Sequence, residues 1–232
     1  MKKIFFLLLA TFIYLNAISQ GNFGSNPFAV DINGRPLYEK TEYRSEGSPF
    51  VYEDYTLADL LSAQGVLYKS IQVKFNIAEN KLIYLDSKGK EMLALTPITG
   101  IYFYPFRKDY ITHDAVVYKS HSKPLNISGA PVYQVVGDSS ARLYKQISIS
   151  YRDDKPLHEA TITRVFTRKE TYFALLKGDD STLHKVEKNP NQVTGLFGNK
   201  ASLVKAYIEN NKLNSRSEKD LALIFRYYNT LE

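Results

Sequence analysis

The residues of this chain whose types could do chemistry are few and scattered. There are four histidines, His113, His121, His158 and His184, and no cysteine. No pair of histidines has the i, i+4 spacing with an adjacent glutamate that a helical zinc site needs. His113 precedes Asp114, an acid and a base by type, but the side chains of neighbouring residues point apart. His113 and His121 lie in the least regular stretch, where solvated loop histidines are the expectation. Asp153-Asp154 and Asp179-Asp180 sit in turn-like sequence, where aspartate bonds its own backbone. A glycosidase would need two carboxylates facing each other across a cleft. Neither loop has the twelve-residue spacing of an EF-hand. There is no G-x-S-x-G elbow and no glycine-rich phosphate loop. The sequence therefore assigns no catalytic residue, no cofactor and no metal ligand, and it reads as a non-enzyme more than as an enzyme.

Aromatic residues are the other unusual feature, with 18 tyrosines and 13 phenylalanines. Tyr102, Phe103, Tyr104 and Phe106 form one cluster and Tyr227-Tyr228 another. Such rings can hold sugars or flat ligands on a sheet face. They also fill strands and helix stripes, which is the simpler expectation. Tyr228 falls in an apolar helical stripe, which makes Tyr227 the more exposed of its pair.

The elements that would carry these residues are legible from periodicity. Gln20 to Gly47 is rich in Gly, Asn, Pro and Ser and reads as an extended lead-in. Ile71, Val73, Phe75 and Ile77 alternate with Gln72, Lys74 and Asn76, the period of a half-buried strand. Lys81 to Asp86, Glu91 to Thr96 and Ile98 to Tyr104 continue a meander through short turns. A second series follows a polar stretch: Val132 to Val136, Arg142 to Tyr151, Ala160 to Thr167, Thr171 to Lys177 and Thr182 to Glu187, with hairpin-type connections at Gly137 to Ser140, Arg152 to Pro156 and Gly178 to Ser181. The period then changes to helical. Leu203, Val204, Tyr207 and Ile208 share one face behind a cap at Asn199. Leu221, Ile224, Phe225, Tyr228 and Leu231 share another behind a capping-box spacing at Ser215 to Glu218. The expected fold is mainly β (α+β): antiparallel meander sheets, as a sandwich or barrel-like, over residues 48–190, then a two-helix hairpin over 191–232. The helical pair should dock on the sheet or on a partner.

The first nineteen residues carry a Lys2-Lys3 start, an apolar run from Ile4 to Leu15 and small residues at Ala17 and Ser19. This is the layout of a secretory signal peptide, with cleavage expected after Ser19, and the run is shorter than the ~20 residues of a membrane span. The expected location is the periplasm or outside the cell. The absence of cysteine excludes disulfides, thiolate metal sites and a lipid attached to cysteine. Without Lys2 and Lys3 the formal charge falls from +6 to +4, spread along the chain. That is a solubilising surface, not a nucleic-acid groove.

Two stretches, Gly47-Ser48-Pro49-Phe50-Val51-Tyr52-Glu53-Asp54-Tyr55 and the tail from Leu203 through Asn210-Asn211-Lys212-Leu213 to Tyr227-Tyr228-Asn229, are similar to a group of exported proteins of Gram-negative bacteria. The resemblance implies export and a β domain ending in helices, and it implies no activity. The functional expectation is an envelope or secreted protein that binds another protein through a sheet edge or the aromatic hairpin. A carrier with a β cavity for an apolar or sugar ligand is the alternative, and a hydrolase comes third. No nucleic-acid partner is expected. An internal cavity would favour the carrier, convergent carboxylates or histidines the enzyme, and a flat apolar patch beside the helices the partner-binding protein.

Overall fold

Ile71, Val73 and Phe75 are fully buried in the computed structural model of the chain, while Gln72 between them is exposed. The alternation read from the sequence is thus the alternation of one inner and one outer sheet face. The structure describes residues 32–37, 43–108, 111–155, 161–179 and 182–231. The leader and His158 lie outside them.

Fourteen strands are described: β1 Gly34–Pro36, β2 Tyr43–Glu46, β3 Thr56–Ser62, β4 Leu67–Asn76, β5 Lys81–Leu85, β6 Glu91–Ala94, β7 Ile98–Phe103, β8 Phe106–Lys108, β9 Ile111–His113, β10 Val116–Lys119, β11 Val132–Gly137, β12 Arg142–Asp154, β13 Ile162–Leu175 and β14 His184–Val186. The helices are α1 Pro190–Gly195, α2 Ala201–Asn210 and α3 Glu218–Asn229. Twelve strands make one sheet, in the order β1-β6-β5-β4-β3-β7-β10-β11-β12-β13-β14, with β2 beside β13. The separate hairpin is β8–β9. Every neighbour is antiparallel except β2, which runs parallel to β13. The two strand series therefore join in one mixed sheet that does not close into a barrel.

The joint is β3, which pairs with β4 on one side and β7 on the other. The periodicity reading passed over it because Leu57 and Leu61 put apolar residues on the outer face. Leu57 is 43% exposed while Ala58 and Leu60 are fully buried. The sheet is also strongly curled. Gly47 touches Phe166 of β13, and two residues later the Pro49 carbonyl accepts from Ile77 N at the end of β4. Two residues span at most ~7.6 Å. Six strand spacings of ~4.8 Å separate β4 from β13 if the sheet is flat. Only a curled sheet meets both conditions. Its inner face carries a core that includes Leu60, Val73, Phe75, Phe103, Tyr118 and Ile147.

Ala160 to Thr167 and Thr171 to Lys177 read as two strands, but they form the single strand β13. The charged Arg168-Lys169-Glu170 between them is mid-strand, because β12 runs alongside from Arg142↔Leu175 to Asp154↔Thr163. Two short strands, β1 and β2, come from the Gly- and Pro-rich lead-in and are held at opposite parts of the sheet. The polar stretch after β10 is tied down by two asparagines. Asn80 Nδ2 donates to the Leu125 and Ala130 carbonyls, and its Oδ1 accepts from Gly129 N. Asn126 Oδ1 accepts from Ile98 N while its Nδ2 donates to the Ala94 and Thr96 carbonyls.

The helices dock on the sheet and make a second core of Leu143, Tyr172, Ala174 and Val186 with Val204, Leu221, Ile224 and Phe225. Their caps differ from the sequence reading. Asn199 lies inside the 3-10 turn Gly198–Lys200 that leads straight into α2, and α2 has no side-chain cap. The cap of α3 is Ser217, accepting from Asp220 N, two residues later than the Ser215 spacing suggested. Ser215 is instead buried, at 1% exposure.

Candidate functional site

Among the described residues, the side chains with acid, base or ligand chemistry are scattered over the fold, and His184 with Asp179 is the pair that meets. His113 stacks on Phe106, with ring centroids 4.5 Å apart. His121 lies edge-on to Tyr144 and Tyr133 on the outer face. Burial first, then Arg142 and Lys119, holds its pKa below the usual histidine value. His184 Nε2 is 2.7 Å from Asp179 Oδ2. That bond is the main reason the Asp179 carboxyl titrates below its ordinary range. Asp153 and Asp154 are the last residues of β12, not turn residues. Asp153 takes a two-pronged bond from Arg164, both contacts at 2.7 Å. Asp154 pairs with Arg152. Asp180 lies outside the described residues. Among the described residues, no three His, Asp or Glu side chains gather where they could hold a metal ion.

The aromatic hairpin is used internally. Tyr227 stacks on Tyr207 of α2, with centroids 4.0 Å apart and planes 7° apart. Tyr228 stacks on Phe197 at 4.5 Å. Both tyrosines are half-buried, and Tyr227 closes the contact between α2 and α3 instead of projecting from it. Lys145 of β12, with 10% of its side chain exposed, reaches Glu218 at the start of α3 at 2.7 Å. Tyr172 donates to the same carboxylate at 2.7 Å. Burial pushes the Glu218 pKa up, but Lys145, Tyr172 and Lys188 together outweigh it and hold the carboxyl below its ordinary value. This buried ionic contact fixes the helical layer on the inner sheet face.

Two surface features bear most on binding. One is a cleft of about 490 Å³ on the outer face between β3, β4 and the β8–β9 hairpin, lined by Tyr55, Leu57, Gln72, Tyr104 and Phe106 among others. Its tyrosines and charges are bonded to their neighbours. Tyr104 donates to Asp59, which also accepts from Ser70 N. Tyr55 donates to Glu91 at 2.9 Å, and Lys108 pairs with Asp54. These bonds occupy the two tyrosine hydroxyls and the Lys108 ammonium.

The other feature is an interruption in the edge of β13. β2 covers Ile162 to Val165, and β14 covers Tyr172 to Ala174. Both neighbours peel away by local sequence. Gly47 turns β2 off with φ +73°, and an added Cβ there would lie 3.0 Å from the Phe166 carbonyl oxygen. Asn189 turns the chain after β14 into α1, accepting from Asn191 N. Thr167 to Thr171 are left without a ladder partner on that side among the described residues. At ~3.3 Å per residue the gap is about 17 Å long, the length of an ordinary strand. A notch of about 320 Å³ lies along its β14 end, lined by Lys169 to Tyr172 and Lys185 to Lys188. Alternate residues here direct N–H and C=O outward, and among the described residues none of these groups has a ladder partner.

The β2 side of the gap is held by side-chain contacts. Arg164 is sandwiched between the rings of Tyr43 and Tyr151, 4.2 and 4.1 Å from their centroids, while it grips Asp153. These contacts fix β2 against β13 and so fix where the gap begins. The sequence signal for the gap was present in Gly47 and in Asn189-Pro190. It is hidden because the sequence pattern breaks β13 into two strands, Ala160 to Thr167 and Thr171 to Lys177, on either side of the open edge.

No helix among the described residues is long and apolar enough to cross a membrane. Compared with protein-family models, with curated proteins and with solved structures, the chain matches none.

Proposed function

We propose that this is an exported, non-enzymatic protein that binds a partner protein by accepting an extended segment of it as a strand on the open edge of β13. The observation that carries the reading is the bounded gap at Thr167–Thr171, walled by β2 and β14. A sheet edge supplies main-chain hydrogen bonds to any extended peptide, and the flanking side chains supply selectivity. Natural sheets protect long free edges with charges, bulges or coverings. Here two coverings stop short of each other and leave room for one strand. Docking of the helices on the sheet weighs against the aromatic hairpin as the partner surface, and a sheet that does not close into a barrel weighs against a β-cavity carrier. Export is supported by the leader-like first nineteen residues, and an N-terminus at Gln20 in protein recovered from cells tests it directly.

The binding test is site-directed photo-crosslinking in the cells that make the protein. A photoreactive residue at Lys169 is expected to capture a partner through one short segment of that partner's chain. The same residue at Leu57 or at Tyr227 should not capture that segment. Capture from Tyr227 but not Lys169 would overturn the reading in favour of the helical face.

A further inference from the structure

Resting on the reading of the β13 gap as a strand acceptor, we infer that the segment it accepts is acidic. The gap and its notch are bordered by Arg168, Lys169, Lys185 and Lys188 against Glu170 and Glu187, a surplus of two positive charges. The carboxylates are already taken, since Arg168 Nε lies 3.0 Å from Glu170 and Lys185 pairs with Glu187. Lys188 Nζ sits 4.8 Å from the centroid of the Tyr172 ring. Lys169 has no carboxylate within ion-pair distance among the described residues and stands exposed at the middle of the gap.

The register sharpens this. Phe173 is opposite Lys185, and residues 169, 171 and 173 of β13 share a face, so Lys169 and Lys185 project from the same outer face. A guest strand laid along Thr167–Thr171 places every second side chain on that face. Carboxylates at two of those positions meet Lys169 and Lys185, the second sharing Lys185 with Glu187. Lysines in the guest would meet like charge at both.

The test titrates the full protein with blocked octapeptides in which valine alternates with glutamate, glutamine or lysine, following backbone amides by NMR. The glutamate peptide is expected to shift the amides of Thr167 to Thr171 and to bind about five- to tenfold more tightly than the glutamine peptide at low salt, from two exposed ion pairs. The lysine peptide should bind weakest, and the differences should shrink at 1 M salt. Combined Lys169→Glu and Lys185→Glu should invert the order. Equal binding of all three peptides at the edge would overturn the acidic preference and leave the strand-acceptor reading standing. Absence of edge shifts with every peptide would overturn the strand-acceptor reading itself.

Discussion

Glu218→Gln removes one partner of the ionic contact that fixes the helices to the sheet, and its cost can be worked from the geometry. Lys145 has 10% of its side chain exposed and lies 2.7 Å from Glu218, whose side chain is 36% exposed. Losing one partner of a fully buried pair costs about 3–5 kcal/mol, because the other charge is stranded. Glu218 is a third exposed, so water screens part of this, and about 2 kcal/mol is the expected loss. For a chain of this size that corresponds to a fall of about 4–8 °C in Tm by scanning calorimetry. Adding Lys145→Met removes the stranded ammonium and should restore most of the loss, a coupling that a double-mutant cycle reads directly. The pH dependence follows from the sign of the shift. The folded Glu218 pKa lies below its ordinary value, so its contribution is complete above the ordinary carboxylate range and is lost as pH falls through the folded value. The Glu218→Gln protein should lack that portion of the acid dependence. A change in Tm below 1 °C at neutral pH, or single-variant losses that simply add in the double variant, would refute the claim that this contact holds the helical layer.

Asn80→Ala should cost about 3 kcal/mol in urea denaturation, since two buried and one part-buried hydrogen bonds to the loop at Leu125–Ala130 lose their partner. Asn80→Gly should lose nearly as much, although glycine accepts the +54° φ at this position, which separates the bonds from the backbone conformation. Gly47→Ala places a methyl 3.0 Å from the Phe166 carbonyl oxygen at φ +73°. It should cost about 1–2 kcal/mol and speed hydrogen exchange at the amides of Tyr43 to Glu46, where β2 is held to β13.

Where one face of a strand is buried and the other wet, period two is enforced by packing, and β4 through β7 were legible for that reason. The same rule concealed β3, whose outer Leu57 and Leu61 break the alternation. It also split β13, because a strand in a two-stranded ribbon can carry Arg168-Lys169-Glu170 with little burial to oppose it. The helical stripes were plain from Leu221, Ile224 and Phe225, but the caps were not. Asn214, Ser215 and Ser217 all precede α3, and tertiary packing decides which one turns the chain, while α2 continues from a 3-10 turn with no side-chain cap. The pairing of His184 with Asp179 across a turn was not legible, since nothing in their spacing forces the two side chains together. The candidate site was not legible, because an open edge is a relation among β2, β13 and β14. No residue pattern within one segment encodes it.

The claim that the β13 gap accepts an extended strand is tested most directly by N-methylating the bound octapeptide at alternate residues. In an added strand only one of the two alternating sets of peptide N–H groups faces β13. Methylating that set should abolish the shifts at Thr167 to Thr171, while methylating the other set should leave binding intact. Equal binding of both methylated peptides would contradict main-chain pairing at this edge.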